Sequence, residues 1–122
     1  MTVPARVTVL LAHGSRDPAW RRPIEAVAAA MRAADPDAQV RCAYLEHDVP
    51  DLADALDQAV ATGAGQVVIV PLFLGVGRHV REDLPRLLQS GRDRHPGLAL
   101  EMRPSVGEDA RVTALLAAIA AS

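Results

Sequence analysis

The chain has 122 residues, a formal charge of −2 and a pI near 6.0, and half of its residues are hydrophobic. That length predicts one domain over residues 1–122, with apolar content for a core that needs neither disulfides nor a structural metal cage. The acidic balance and the scarcity of aromatic residues (Trp20, Tyr44 and Phe73 only) speak against a nucleic-acid partner and a base-stacking surface. Cys42 is the single cysteine, so the chain offers neither an internal disulfide nor a CxxC metal site. The amino-terminal stretch MTVPARVTVLLAHGS is too short in its apolar run for a secretory leader, and no run approaches the ~20 apolar residues of a membrane span. The expected location is the cytoplasm, without membrane attachment. All thirteen basic residues are arginine, a bias that a G+C-rich genome produces by itself, although arginine forks also suit carboxylates and phosphates.

Arg6 to Ala12 is the first expected strand, and His13-Gly14-Ser15-Arg16-Asp17-Pro18 the turn after it. Asp17 caps a helix that starts at Pro18 and runs to about Ala34, with Ile24, Val27, Ala28 and Met31 at helical spacing. Val40 to Leu45 is a second strand, followed by the loop Glu46-His47-Asp48-Val49-Pro50. Leu52 to Thr62 is a second helix, closed by Gly63-Ala64-Gly65. Val67-Val68-Ile69-Val70 is apolar on both faces, as a buried parallel strand requires, and Pro71 ends it. Gly75-Val76-Gly77 is a loop, His79 sits on the turn after it, and a helix begins at Val80 with Leu84, Leu87 and Leu88 on one face. His95-Pro96-Gly97 is a turn, Leu98 to Met102 a fourth strand, and Asp109 to Ala120 a last helix. Strict β-α alternation predicts a single four-stranded parallel sheet, flanked by helices on both faces through right-handed crossovers.

Ligands of open α/β sheets bind at the carboxyl ends of the strands. Three of the four histidines fall there: His13, His47 beside Glu46, and His79; His95 falls in a turn at the opposite edge and is expected to be solvated. A lone histidine is more often surface or core filler. Two at equivalent strand-to-helix turns weigh evenly between filler and function. Neutral imidazole ligates Co²⁺, Ni²⁺, Fe²⁺ or Zn²⁺ and accepts protons near neutral pH. His13 and His79, with Glu46 as a possible third ligand, form an open set unlike a closed four-ligand zinc cage. Gly75-Val76-Gly77 is not a dinucleotide loop, because position 80 is valine, and no P-loop is present, so no nucleotide is expected. Ser15 lacks the G-x-S-x-G elbow of a hydrolase, and His13 lacks the preceding arginine of histidine phosphatases. Glu82 and Asp83 are expected as a solvated pair that favours the helix dipole.

Three segments carry a more specific signal. His13-Gly14-Ser15-Arg16-Asp17-Pro18 resembles the H-G-S-R-x-P opening of small sirohydrochlorin cobaltochelatases, the CbiX family of class II chelatases. Ala43-Tyr44-Leu45-Glu46 followed by Pro50-Asp51-Leu52 is similar to that family's A-[FY]-L-E…P-x-L, although His47-Asp48 is a less typical insertion. Phe73-Leu74 through Gly77, His79, Asp83 and Pro85 matches its F-L-x-x-G-x-H-x-x-x-D-[IL]-P. The segments come in the family's order and span nearly the whole chain. The resemblance implies one half of a class II chelatase fold and an ATP-independent lyase. Its reaction would be insertion of a divalent metal (Co²⁺, with Ni²⁺ or Fe²⁺ also suited) into sirohydrochlorin for cobalamin or other tetrapyrrole biosynthesis. It makes His13 and His79 the metal-binding and proton-accepting pair, and it implies a homodimer, since short chains resemble half of a longer two-domain chelatase. The carboxylates of such a macrocycle make Arg16, Arg78 and Arg81 candidates for its rim, and Gly14, Ser15, Gly75 and Gly77 candidates for close backbone approach. The rival readings are a non-catalytic divalent-metal carrier or sensor, and a phosphohydrolase with His13 as nucleophile.

Overall fold

A computed structural model describes residues 5–122; the first four residues, part of the stretch weighed as a leader, lie outside it. The chain runs β1 (Ala5–Ala12), a 3-10 turn (Pro18–Arg21), α1 (Arg22–Ala34), β2 (Gln39–Tyr44), α2 (Leu52–Ala61), β3 (Ala64–Pro71), α3 (Arg78–Arg94), β4 (Ala99–Met102), a second 3-10 turn (Val106–Glu108) and α4 (Ala110–Ala121). All described strand pairs are parallel, in the order β2-β1-β3-β4. Right-handed crossovers in that order put α1 on one face of the sheet and α2 and α3 on the other. The packing agrees. Ala28 and Met31 of α1 lie on Leu10 and Val40, while Leu52, Leu56, Leu87 and Leu88 lie on Val7, Val9, Val67 and Ile69. Among the described residues no helix is long and apolar enough to cross a membrane.

Local chemistry explains the departures from the expected boundaries. Asp17 does cap, accepting from the Ala19 N–H at 2.9 Å, but it caps the 3-10 turn. Pro23 sits in the first turn of α1, and its ring would strike the Ala19 carbonyl in a continuous α-helix, so the chain tightens before it. Gly63, at φ +95°, ends α2 as expected, but β3 starts directly at Ala64 and extends through Pro71. Pro71 is tolerated because Ile69, two residues before it, faces β4, whereas Leu72 donates to the Leu11 carbonyl at 2.8 Å. The missing Pro71 N–H would therefore point to the side that β4 has already left. His79 lies within α3, one residue after its first, rather than on a turn before the helix.

His95 stands at the opposite edge from His13, yet it is not solvated. Its side chain is 17% exposed and its Nε2 lies 2.7 Å from Asp57 Oδ1, while the Arg94 Nε donates to the same carboxylate at 2.8 Å. This ties the end of α3 to α2. Hydrogen bonds from Arg94, then from His95, hold the Asp57 carboxyl below its usual 3.8. A lowered folded-state pKa stabilises the fold above the ordinary value and loses that contribution as pH falls through the folded value. Asp57→Asn should therefore lower the urea midpoint at pH 7, with the gap to wild type closing as pH drops below 3.8. A gap that is constant with pH would dissociate the effect from the carboxylate.

Candidate metal and macrocycle site

Strand register builds the site. Ala12 is opposite Tyr44, and Leu11 is opposite both Ala43 and Pro71, so the carboxyl ends of β2, β1 and β3 are level. The pairing continues past the strands: Leu45 donates to the Ala12 carbonyl and Glu46 to the His13 carbonyl, each at 2.9 Å. His13 and Glu46 are thus fixed side by side through backbone. The His13 ring lies against Phe73, with centroids 4.7 Å apart and planes tilted by 55°, and Phe73 is itself buried. A core aromatic from the loop after β3 therefore supports an exposed imidazole from the loop after β1.

A surface hollow of about 540 Å³ opens between these loops and α3. His13, Glu46 and His79 all line it. The structure brings together the three candidate ligands, although no group of three or more His, Cys, Asp or Glu among the described residues is close enough to cage a metal. His13, Glu46 and His79 are all exposed.

The wall also holds Asp83 and Arg86, which sequence reasoning missed, having taken Asp83 as solvated. The signal was present: His79, Asp83, Arg86 and Ser90 recur at intervals of three and four, one stripe of a helix. Arg86 Nη1 lies 3.7 Å from Asp83 Oδ1. Arg16, Arg78 and Arg81 do not line the hollow, and Arg78 Nε instead donates to Glu82 at 3.2 Å. Ser15 Oγ accepts from the Asp17 N–H at 3.1 Å and so braces its own turn. Gly14, at φ +92°, passes so close to Glu46 that an added Cβ would fall 1.7 Å from its carbonyl oxygen; Gly75 and Gly77 face open space. His47, at φ +62°, sets its Nε2 3.7 Å from Glu46 Oε1 and does not line the hollow.

The open four-stranded parallel sheet, with His13 and His79 at its carboxyl edge, is the α/β fold of known chelatase structures. The chain belongs to the CbiX family, whose family model matches residues 7–121. A sirohydrochlorin cobaltochelatase of Methanococcoides burtonii is 30% identical over 71% of this chain, and the match spans 66% of that relative. The chain thus covers slightly under two thirds of that protein's length. The crystal structure of a putative cobalamin biosynthesis CbiX protein from Marinobacter aquaeolei superposes with a TM-score of 0.82 at 29% identity, covering 95% of this chain and 94% of the other. The sirohydrochlorin chelatase SirB of Bacillus subtilis subspecies spizizenii, solved in complex with cobalt, shares the fold with a TM-score of 0.75 at 22% identity; 88% of this chain covers 46% of that one.

Proposed function

We propose that this protein is an ATP-independent sirohydrochlorin cobaltochelatase acting as a homodimer, with His13 and His79 as its working pair. The observation that carries this reading is the convergence of the two histidines on one hollow, from the loop after β1 and the first turn of α3, in a chain of the CbiX family. Insertion exchanges a divalent ion for the two pyrrole N–H protons of the macrocycle: one metal enters, two protons leave, and no redox change occurs. Neutral imidazole nitrogens hold the incoming ion without closing a cage around it. A nitrogen that releases the metal to the macrocycle has its lone pair free to take a pyrrole proton. Glu46, fixed beside His13, supplies an anionic oxygen for the ion as its water shell is stripped. The macrocycle is a polycarboxylate, and Arg86 on the wall gives its rim a guanidinium partner, with Arg16, Arg78 and Arg81 further out. Cobalt is the proposed substrate ion; imidazole ligands also suit Ni²⁺ and Fe²⁺.

The test is incubation of the purified protein with sirohydrochlorin and Co²⁺, following the macrocycle absorbance against a protein-free control. Faster insertion than the control is expected. Cobalt binding without acceleration, and without macrocycle binding, would replace this reading with that of a metal carrier.

A further inference from the structure

Two histidines of this chain stand beside a carboxylate, and the two pairs differ. His95 Nε2 lies 2.7 Å from Asp57 Oδ1, but Arg94 holds both oxygens of that carboxylate, with Nε donating at 2.8 Å and Nη2 at 2.6 Å. The guanidinium balances the charge, and the pair stands at the edge of the sheet away from the hollow. His47 Nε2 lies 3.7 Å from Glu46 Oε1. Among the described residues no arginine is ion-paired to Glu46. Both side chains reach solvent, that of Glu46 62% exposed and that of His47 39%.

The loop that carries them is fixed without their help. The Tyr44 N–H donates to the Pro50 carbonyl at 3.0 Å and closes the base of the loop, and the Glu46 N–H donates to the His13 carbonyl. Asp48 is largely buried and has Arg21 Nη1 at 3.5 Å. His47 lies between these anchors at φ +62°. Glycine meets such a φ without strain; histidine is better there than most side chains, but not as good as glycine. An exposed ion pair adds little to stability. Backbone and stability therefore give no reason for an imidazole at this position. Metal chemistry does, because a nitrogen donor beside an unneutralised carboxylate suits Co²⁺, Ni²⁺ or Fe²⁺.

Glu46 also lines the hollow with His13 and His79, and His47 does not. One carboxylate thus stands between an outer imidazole and an inner pair. We infer that Glu46 and His47 form an outer capture site for the incoming divalent cation, from which the Glu46 carboxylate passes it to His13 and His79. The inference rests on the metal-insertion reading above and adds the step before it. Two protein donors leave most of the coordination positions to water, so the outer site holds the ion weakly and releases it readily. Transfer is a ligand exchange. The bond from the ion to the His47 nitrogen breaks, a bond to an inner imidazole nitrogen forms, and a Glu46 oxygen stays bound throughout. No electron or proton moves. The Glu46 main chain is already fixed beside His13, so side-chain torsions alone carry the ion inward.

The test uses the untagged full chain and cobalt chloride. The chain has four histidines, so His13→Ala with His79→Ala leaves only His47 and His95. Both replaced residues are exposed, and the variant should stay folded by circular dichroism. In that protein substoichiometric paramagnetic Co²⁺ should broaden the ring-proton resonances of His47 and spare those of His95. Adding Glu46→Gln should abolish the difference. In the otherwise wild-type chain, His47→Asn keeps a residue suited to the left-handed region and should raise the cobalt concentration for half-maximal insertion roughly 10-fold, a deficit that excess cobalt overcomes. Equal broadening of both rings, or none at His47, would overturn the capture site. An unchanged half-saturating cobalt concentration in His47→Asn would overturn delivery through it. A wild type that inserts no cobalt would instead refute the function proposed above, and the delivery step with it, while the resonances would still decide whether Glu46 and His47 bind the ion.

Discussion

Replacing His79 with alanine should slow cobalt insertion by roughly 10²–10⁴-fold, the usual cost of losing a positioned proton acceptor, with loss of a metal ligand added to it. His13→Ala should do the same. Neither change should unfold the protein. His79 is exposed in the first turn of α3, where alanine is a better helix former. His13 is exposed too, and gives up only a tilted ring contact with Phe73. Because the two act on one ion, the double variant should lose far less than the product of the two single losses. His95→Ala is the control. It should keep wild-type insertion while losing stability, because its ring contacts Asp57. Initial rates at saturating macrocycle, with cobalt affinity measured separately, distinguish lost binding from lost chemistry. Folded His13→Ala and His79→Ala proteins that insert cobalt at the rate of the His95→Ala control would show that the site is wrongly assigned.

The sheet was legible because its signals are local. Val67 to Val70 is apolar on both faces, turn residues follow each strand, and alternation with helices forces parallel pairing. The convergence of His13, Glu46 and His79 was legible for the same reason, since a parallel sheet gathers the carboxyl ends of its strands. What escaped depends on three-dimensional arrangement. Asp57, Arg94 and His95 meet across 37 and 38 residues, and nothing local marks a turn histidine as an ion-pair partner. Asp83 and Arg86 had a readable helical spacing from His79, but a charged pair at a helix start has an equally good solvated explanation. The exposure of α4, none of whose residues is buried, was invisible, because its apolar sequence reads as a core helix.

Gly14→Ala should damage the fold and the site together, which no other glycine of the sequence-selected set should do. At φ +92° an alanine methyl group is strained, and a Cβ here would fall 1.7 Å from the Glu46 carbonyl oxygen and 3.3 Å from the Tyr44 Cβ. The obstacle at 1.7 Å is backbone, not a side chain that can swing aside, so the loops after β1 and β2 must separate. Strain at the left-handed residue and overpacking together should cost about 2–5 kcal/mol in urea denaturation. Separation also breaks the hydrogen bond from the Glu46 N–H to the His13 carbonyl, the link that sets the imidazole beside the carboxylate. Insertion should therefore fall even under conditions where the variant is fully folded, and cobalt affinity should fall with it. Gly75→Ala and Gly77→Ala meet open space and should leave stability within about 0.5 kcal/mol of wild type. That contrast separates two reasons for a glycine: at position 14 the chain itself needs the space, whereas at 75 and 77 only a ligand would. A Gly14→Ala protein as stable and as active as wild type would mean that the loops after β1 and β2 do not pack as this structure has them.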